Sequence, residues 1–294
     1  MEKVELKIEQ VKDDIFSPGD IYWKKTSGEV LISGKADILN IDMINKLTKA
    51  NQVILIENEI DYESQKKMIE VFKRYESETL ISKKLEWRTA FNALLLKHYY
   101  NTSVSQFELN QLFWKLFSTM TRDQAEMFVN RDREYFLRAI NIGTSYTVCA
   151  FLLGYYDEEF LKSIYNKVIF SQMEIGKNEL VIRLKEKIEY IAQKVTLNDA
   201  NKEYIKSIIQ PRNIDQAIFF EKQNGSGLMN ITVYEMSDLE LILATLGQFY
   251  HFNDKDRKNI LAEINEGVFG VNRVLLNLLK RNFEIAAISA VESA

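Results

Sequence analysis

The chain has 294 residues, of which 46% are hydrophobic and 27% charged, enough apolar material for a sizeable packed core. A net charge of −4, without any basic block, gives no reason to expect a nucleic-acid partner. The longest apolar run, at 147–156, is far shorter than the roughly 20 residues of a membrane-spanning helix, and the single cysteine excludes an internal disulfide. Since the N-terminus also lacks an apolar signal core, we expect a cytoplasmic protein.

Residues 1–60 predict a small α+β domain. The segment VELKI at 4–8 alternates with period two, and IYWKKTSGEVLI at 21–32 has two strand-like runs around a Thr-Ser-Gly turn, which predicts a β-hairpin. Helical spacing follows at 38–51, and QVILIEN at 52–58 is typical of a buried strand. Because a unit of about 60 residues buries little surface alone, we expect it to dock on the chain that follows.

From residue 61 onward the pattern is almost entirely helical. Apolar residues recur at three- and four-residue spacing, and the whole chain contains only 2 prolines. The periodic segments are 62–80, 85–100, 104–120, 122–130, 133–156, 157–174, 178–193, 201–209, 237–252, 255–266 and 271–283. We therefore predict a mainly α protein with three parts: a small α+β domain at 1–60, a helical linker at 61–100 and a helical-bundle domain at 101–294.

Short stretches in the helical part follow one another in an order that resembles the HD-GYP family. Members of this subgroup of the HD phosphohydrolase superfamily hydrolyse cyclic di-GMP at a cluster of metal ions. Their pattern runs from a His-Ser-x-x-Val segment through His-Asp-Ile-Gly-Lys and His-His-Glu-x-x-x-Gly-x-Gly-Tyr-Pro to a helix with a late aspartate. The matching stretches here are TSYTVCAFLLG at 144–154, MEIGK at 173–177, FFEKQNGSGLM at 219–229 and LELILATLGQFY at 239–250. The resemblance covers about residues 130–285 and implies an HD-type helical domain.

The resemblance implies that the metal ligands of the family have been replaced. Positions that match the family pattern are Ile175, Gly176, Lys177, Glu221, Gly225 and Gly227. The residues at former ligand positions are Thr144, Met173, Glu174, Phe219, Phe220 and Gly247. No histidine lies between 180 and 215, where the family's remaining metal histidine is expected.

These replacements predict a pseudoenzyme that has no metal cofactor. Threonine, methionine, phenylalanine and glycine do not supply the hard ligands that a divalent ion needs, and the ion would generate the hydroxide nucleophile. Glu174 and Glu221 are carboxylates without neighbouring ligands, which make a weak site. The only histidines of the chain, His98 and His251, cannot assemble a His-rich centre with Cys149.

Four cations are candidates for ligand binding. Lys177 matches a family lysine that lies near the substrate phosphate, and it also suits a helix C-terminus as a solvated cation. Lys255, Arg257 and Lys258 lie near the position of a phosphate-gripping stretch in the family. Here aspartates are interleaved with them, which favours the solvated start of a helix.

The glycine-containing loop at 224–229 has two interpretations that we hold equal. It can shape a substrate pocket or a protein-docking surface, as in the family, or it can keep its glycines because the backbone needs positive φ there. Its residues are Asn224, Gly225, Ser226, Gly227, Leu228 and Met229.

Three further side chains have simple interpretations. Cys149 lies in an apolar helical stripe, which predicts a small buried hydrophobic residue and not a nucleophile. His98 has no partner visible in the sequence, so we expect it at the surface or at a helix end. His251, in FYHF, predicts a packed neighbour of aromatic rings.

These features predict a protein-interaction adaptor or regulator in bacterial cyclic di-GMP signalling. By resemblance, its partners would be signalling, motility or pilus proteins, including those of diguanylate cyclase type. Two alternatives stay open: a sensor that binds cyclic di-GMP or another nucleotide without cleaving it, and a residual metal-dependent phosphodiesterase.

Overall fold

The computed structural model describes residues 3–58, 60–100 and 106–175, together with the single positions 239, 242, 243 and 246. Within these residues the chain forms four strands and seven helices. The strands are β1 (Val4–Glu5), β2 (Gly19–Lys25), β3 (Gly28–Ser33) and β4 (Ile54–Asn58). The helices are α1 (Ile8–Val11), α2 (Ile41–Lys49), α3 (Tyr62–Ser77), α4 (Ile81–Tyr100), α5 (Gln106–Phe117), α6 (Arg122–Leu152) and α7 (Glu158–Ile175).

The strands form one antiparallel sheet in the order β1-β4-β2-β3. The predicted hairpin is confirmed: Lys25 pairs with Gly28 across a two-residue turn. Gly28 has φ +141, a value that residues with a side chain rarely adopt. The alternating pattern at 4–8 yields a strand of only two residues, because α1 begins at Ile8. The Gln10 side chain accepts the Lys7 N–H at 3.0 Å and thereby stabilises the start of that helix.

The first layer of the core lies between one face of the sheet and α2. Its buried residues alternate along the strands and follow the apolar stripe of α2, as the two periodicities require. They are Leu6, Val11, Ile21, Leu39, Ile44, Leu47, Ile54 and Ile56. Asn40 begins α2, because its side chain accepts the Met43 N–H at 3.1 Å.

Helices α3, α6 and α7 begin at short polar residues whose side chains accept backbone N–H groups of the first turn. Asp61 accepts the Ser64 N–H at 3.0 Å at the start of α3, and Asp157 accepts the Phe160 N–H at 2.7 Å at the start of α7. At the start of α6, Thr121 and Gln124 each accept the backbone N–H of the other, which is a capping box.

Helix α6 consists of two helical parts that meet at Asp132. This residue has an extended backbone (φ −162, ψ 98), and its carboxylate accepts the Tyr135 N–H at 2.9 Å. Asp132 is therefore the N-cap of the second part. The sequence predicts separate helical stretches at 122–130 and 133–156, and the interruption falls between them.

The chain divides into two compact units. The first consists of Met1–Leu116 and Met120–Met127, and the second of Phe117–Thr119 and Phe128–Ala294. The first unit therefore contains both the segment predicted as a domain at 1–60 and the segment predicted as a linker at 61–100. Within this unit α3 packs on α4, with the rings of Phe72 and Phe91 5.2 Å apart.

The predicted fold class is confirmed within the described residues, which are mostly helical after a small antiparallel sheet near the N-terminus. None of the helices described is long and apolar enough to cross a membrane. The helices predicted beyond residue 175 lie outside the described ranges.

Candidate functional site

Thr144, which the resemblance assigns to the first metal histidine of the HD-GYP pattern, lies in the middle of the second part of α6. Its side chain is fully buried, and its hydroxyl approaches that of Tyr165 on α7, which is also fully buried. Neither hydroxyl makes a hydrogen bond of ordinary geometry among the described residues. Burial raises the pKa of Tyr165 well above its usual range, and Thr144 opposes that shift. Both side chains are therefore neutral hydroxyls within a packed interior.

The approach of α6 to α7 at this level depends on Gly143. A Cβ atom at Gly143 would lie 2.9 Å from Cγ1 of Ile169 and 3.4 Å from the carbonyl oxygen of Tyr165. Contacts this short leave no room for a side chain, so the missing Cβ allows the two helices to pack closely. Gly143 directly precedes Thr144 in the sequence, so α6 and α7 approach each other closely beside the candidate site.

Met173 and Glu174, which the resemblance assigns to the paired His-Asp of the pattern, lie in the last turn of α7. Met173 comes eight residues after Tyr165, which corresponds to about 12 Å of helix axis at the α-helical rise. The other residues that the resemblance assigns to ligand positions, Phe219, Phe220 and Gly247, lie outside the described residues.

Several other residues that carried functional hypotheses also lie outside the described part of the chain. They are the ligand-binding candidates Lys177, Lys255, Arg257 and Lys258, the loop residues Asn224, Gly225, Ser226, Gly227, Leu228 and Met229, and His251.

The second unit contains further buried polar side chains on α7. Asn166 donates hydrogen bonds to the carbonyl oxygens of Phe117 (2.8 Å) and Lys162 (2.6 Å), and it accepts the Thr119 N–H at 2.9 Å. Asn166 thus joins α7 to residues 117–119 with both ends of its amide. Lys167 is also buried, which is rare for a lysine.

Cys149 is fully buried in α6, and burial raises the pKa of its thiol to about 12. The thiol is therefore protonated near neutral pH and is not a thiolate nucleophile. This agrees with the prediction of a small buried hydrophobic residue.

The first unit contains a polar cluster that the sequence did not reveal. Asp14 is buried, and its Oδ1 lies 3.3 Å from Nζ of Lys115 on α5. Among the described residues, neither carboxylate oxygen accepts a hydrogen bond of ordinary geometry. Burial is the largest cause that raises the pKa of Asp14 to about 7, while Lys115 and Arg122 oppose the shift.

The same cluster joins residues 1–60 to α5 and α6. Lys115 donates to the carbonyl oxygen of Gln10 at 2.8 Å, and Gln111 donates to that of Phe16 at 2.9 Å. Arg122 donates to the carbonyl oxygens of Asp14 and Leu39. These bonds link backbone carbonyls of the N-terminal segment to side chains of α5 and α6. The N-terminal segment therefore docks on the following helices, as predicted.

His98 lies in the last turn of α4, so the predicted helix-end position is confirmed, but its side chain is buried in the first unit and the predicted surface position is wrong. Its Nε2 is 3.2 Å from Oε1 of Glu108 on α5, and both side chains are buried. Glu108 Oε1 also accepts the Asp61 N–H at 3.3 Å. Burial lowers the pKa of His98, and Asp61 partly opposes this shift. At neutral pH the imidazole is therefore neutral.

Within the described residues, no group of three or more His, Cys, Asp and Glu side chains is arranged to hold a metal ion. Although Nε2 of His98 lies near Glu108, it makes no hydrogen bond of ordinary geometry within the described part of the chain.

No family model matches the chain, and no curated protein sequence matches it. A search of solved structures finds a similarity to Bd1817, described as a HDG"Y"P protein from Bdellovibrio bacteriovorus, with a TM-score of 0.33 and 12% identity over 95% of this chain and 98% of that chain. A similarity this distant does not show that the chain belongs to the same family.

Proposed function

We propose that this chain is a binding protein without catalytic turnover, which acts as a protein-interaction adaptor or regulator in cyclic di-GMP-related signalling. The observation that carries the proposal is the environment of Thr144, where the resemblance to the HD-GYP family implies the first metal histidine. This side chain is buried against Tyr165 in the α6–α7 interior. A neutral hydroxyl packed between helices suits a core and is a poor ligand for a divalent ion.

The substitutions elsewhere in the motif support the same conclusion. Phe219 and Phe220 replace two metal histidines in the resemblance and offer apolar ring surface in their place. A fold can persist for its binding surfaces after the chemistry is lost, because stability depends on packing and function on a few side chains.

The first experiment measures metal content and turnover of the full chain. We expect no stoichiometric iron, manganese or zinc by elemental analysis of the purified protein, and no hydrolysis of cyclic di-GMP when these metals are added. Two tightly bound metal ions per chain, or turnover, would overturn the proposal.

The second experiment tests for a protein partner of the expected kind. Purified diguanylate cyclase domains from the source genome are immobilised, and binding of the full chain is measured by biolayer interferometry. We propose loop 224–229 as the contact, so a variant with Leu228→Asp and Met229→Asp should bind at least tenfold more weakly, as loss of two apolar anchors predicts. A matched control is Met127→Asp, since Met127 is an exposed apolar side chain in the first unit.

A second candidate function is a sensor that binds cyclic di-GMP without cleaving it, and the retained Lys177 favours this alternative. Isothermal titration of the full chain with cyclic di-GMP separates the two functions. A sensor gives binding heat that the Lys177→Ala variant loses. An adaptor alone gives no heat at high micromolar ligand.

A further inference from the structure

Three exposed aliphatic side chains meet where α3 is followed by α4. Ile81 is 79% exposed, Leu80 57% and Leu85 46%. Ile81 and Leu85 are four residues apart on α4, so they lie on the same side of that helix, and Leu80 directly precedes it. We call these three residues the α4 tip. Scattered exposed apolar residues are ordinary on a protein surface, whereas a cluster such as this one marks a contact surface.

The backbone of the α4 tip is held in place by its own hydrogen bonds. The Glu78 carboxylate accepts the N–H groups of Thr79 and Leu80, both at 3.0 Å, and the Lys84 N–H donates to the Leu80 carbonyl at 2.8 Å. These bonds fix the residues at the start of the helix. The three aliphatic side chains are thus presented on an ordered backbone.

Cations surround the α4 tip. Lys83 is exposed beside it, Nζ of Lys84 lies 4.9 Å from the ring centre of Tyr75, and the Arg74 guanidinium lies 5.1 Å from that of Trp87. The first turn of α4 contains no acidic residue, although a helix N-terminus favours negative charge. Lys83 and Lys84 place positive charge at this end of α4, beside the exposed aliphatic side chains.

The charge of this region is opposite to that of the whole chain. Residues 73–88 contain five cations against three acids, while the complete chain has a net charge of −4. The cations are Lys73, Arg74, Lys83, Lys84 and Arg88, and the acids are Glu76, Glu78 and Glu86. The surface that fits this region therefore combines negative charge with an apolar interior.

We propose that the α4 tip docks the protein reversibly on an anionic lipid surface. The aliphatic side chains enter the boundary between headgroups and acyl chains, while Lys83 and its neighbouring cations lie against the headgroups. The composition favours lipid over an acidic protein, because protein interfaces are depleted in lysine and enriched in tyrosine and tryptophan. The α4 tip consists of leucine and isoleucine, and Ser82, Lys83 and Glu86 are exposed beside it. This inference is independent of the proposed adaptor function.

The test is flotation of the full chain with vesicles of phosphatidylcholine, alone or with about one third phosphatidylglycerol. We expect binding to the anionic vesicles only, and weaker binding as salt is raised. Ile81→Asp should reduce the partition coefficient at least tenfold, because a charge replaces the most exposed apolar side chain. Lys83→Ala should reduce it about fivefold.

Met127→Asp serves as the matched control, since Met127 is 59% exposed and lies outside the tip. It should float like the unmodified chain. Tryptophan fluorescence and far-ultraviolet circular dichroism verify that each variant is folded. We expect Ile81→Asp to fold, because the side chain of Ile81 is exposed.

Two outcomes overturn the proposal. The first is failure of the unmodified chain to float with anionic vesicles. If Ile81→Asp in that case abolishes self-association in light scattering, the tip is a contact between copies of the chain. The second is equal flotation of the Ile81→Asp variant and the unmodified chain.

Discussion

Lys115 on α5 places its Nζ 3.3 Å from Oδ1 of the buried Asp14, which lies in the connection after α1. The ammonium also donates to the carbonyl oxygen of Gln10 at 2.8 Å. One side chain therefore lies beside a buried carboxyl group and also binds the adjoining backbone. Since burial still raises the pKa of Asp14 to about 7, the cost of removing the carboxylate from water exceeds the benefit of the nearby cation.

This pKa predicts that the first unit loses stability as the pH rises from about 4 to about 7. The folded state keeps the Asp14 proton over this range while the unfolded chain has released it, so the free energy of unfolding falls with pH. The shift sets an upper limit of about 4 kcal/mol on this fall. Asp14→Asn should remove it. The measurement is urea unfolding at several pH values, followed by tryptophan fluorescence.

Tryptophan fluorescence reports on the first unit alone, because Trp23, Trp87 and Trp114 all belong to it. The matched control is Glu70→Gln, which removes an exposed carboxyl on α3 of the same unit and should retain the slope. The lowered pKa of His98 gives a slope of opposite sign, and this effect cancels when the variant is compared with the unmodified chain. Identical slopes for Asp14→Asn and the unmodified chain would contradict the assignment.

Arg122→Ala should destabilise the first unit by about 2 to 3 kcal/mol. The guanidinium donates to the carbonyl oxygens of Asp14 and Leu39, and the substitution leaves both acceptors without this donor. Urea unfolding with tryptophan detection measures the loss. Lys66→Ala, at an exposed position of α3 in the same unit, should change stability by less than about 0.5 kcal/mol. An equal loss in both variants would show that Arg122 acts through charge in general and not through these two bonds.

Asp132→Ala should destabilise the second part of α6 by about 1 kcal/mol, because the Tyr135 N–H loses its cap. The readout is hydrogen exchange of peptides within 133–152, which should accelerate near their N-terminal end. Asp132→Asn keeps an acceptor oxygen at the same place and should retain most of the protection. If both variants exchange alike, the cap does not stabilise this helix start.

Gly143→Ala should destabilise the second unit by about 1 kcal/mol, since overpacking outweighs the gain in helix propensity. The new Cβ would meet Cγ1 of Ile169 at 2.9 Å and Cδ1 at 3.3 Å. In an Ile169→Ala background both of these atoms are absent, so the same substitution should cost little. A double-mutant cycle from thermal unfolding by circular dichroism gives the coupling energy, expected near 1 kcal/mol. Simple additivity would refute the close approach of α6 and α7.

Local pattern predicted most of the described elements, because hydrophobic period and turn chemistry act over short spans of chain. The hairpin at 21–32 and the helices at 62–100 follow from such signals. These local signals did not predict the contact between His98 and Glu108. Glu108 is ten residues away, across the end of one helix and the start of the next, so their pairing depends on how α4 packs against α5.

At the candidate site too, the sequence determined the residue types and the tertiary structure determined their surroundings. The sequence alone determines that residue 144 is a threonine, with a hydroxyl and not an imidazole, and that a glycine precedes it. Tertiary structure decided that this hydroxyl is buried against Tyr165, and that a glycine beside it allows the helices to approach. It also brought Asp14, Lys115 and Arg122 together from distant parts of the chain. The physical reason is that residue type is fixed locally, whereas burial, and with it pKa, depends on what the rest of the fold packs around each side chain.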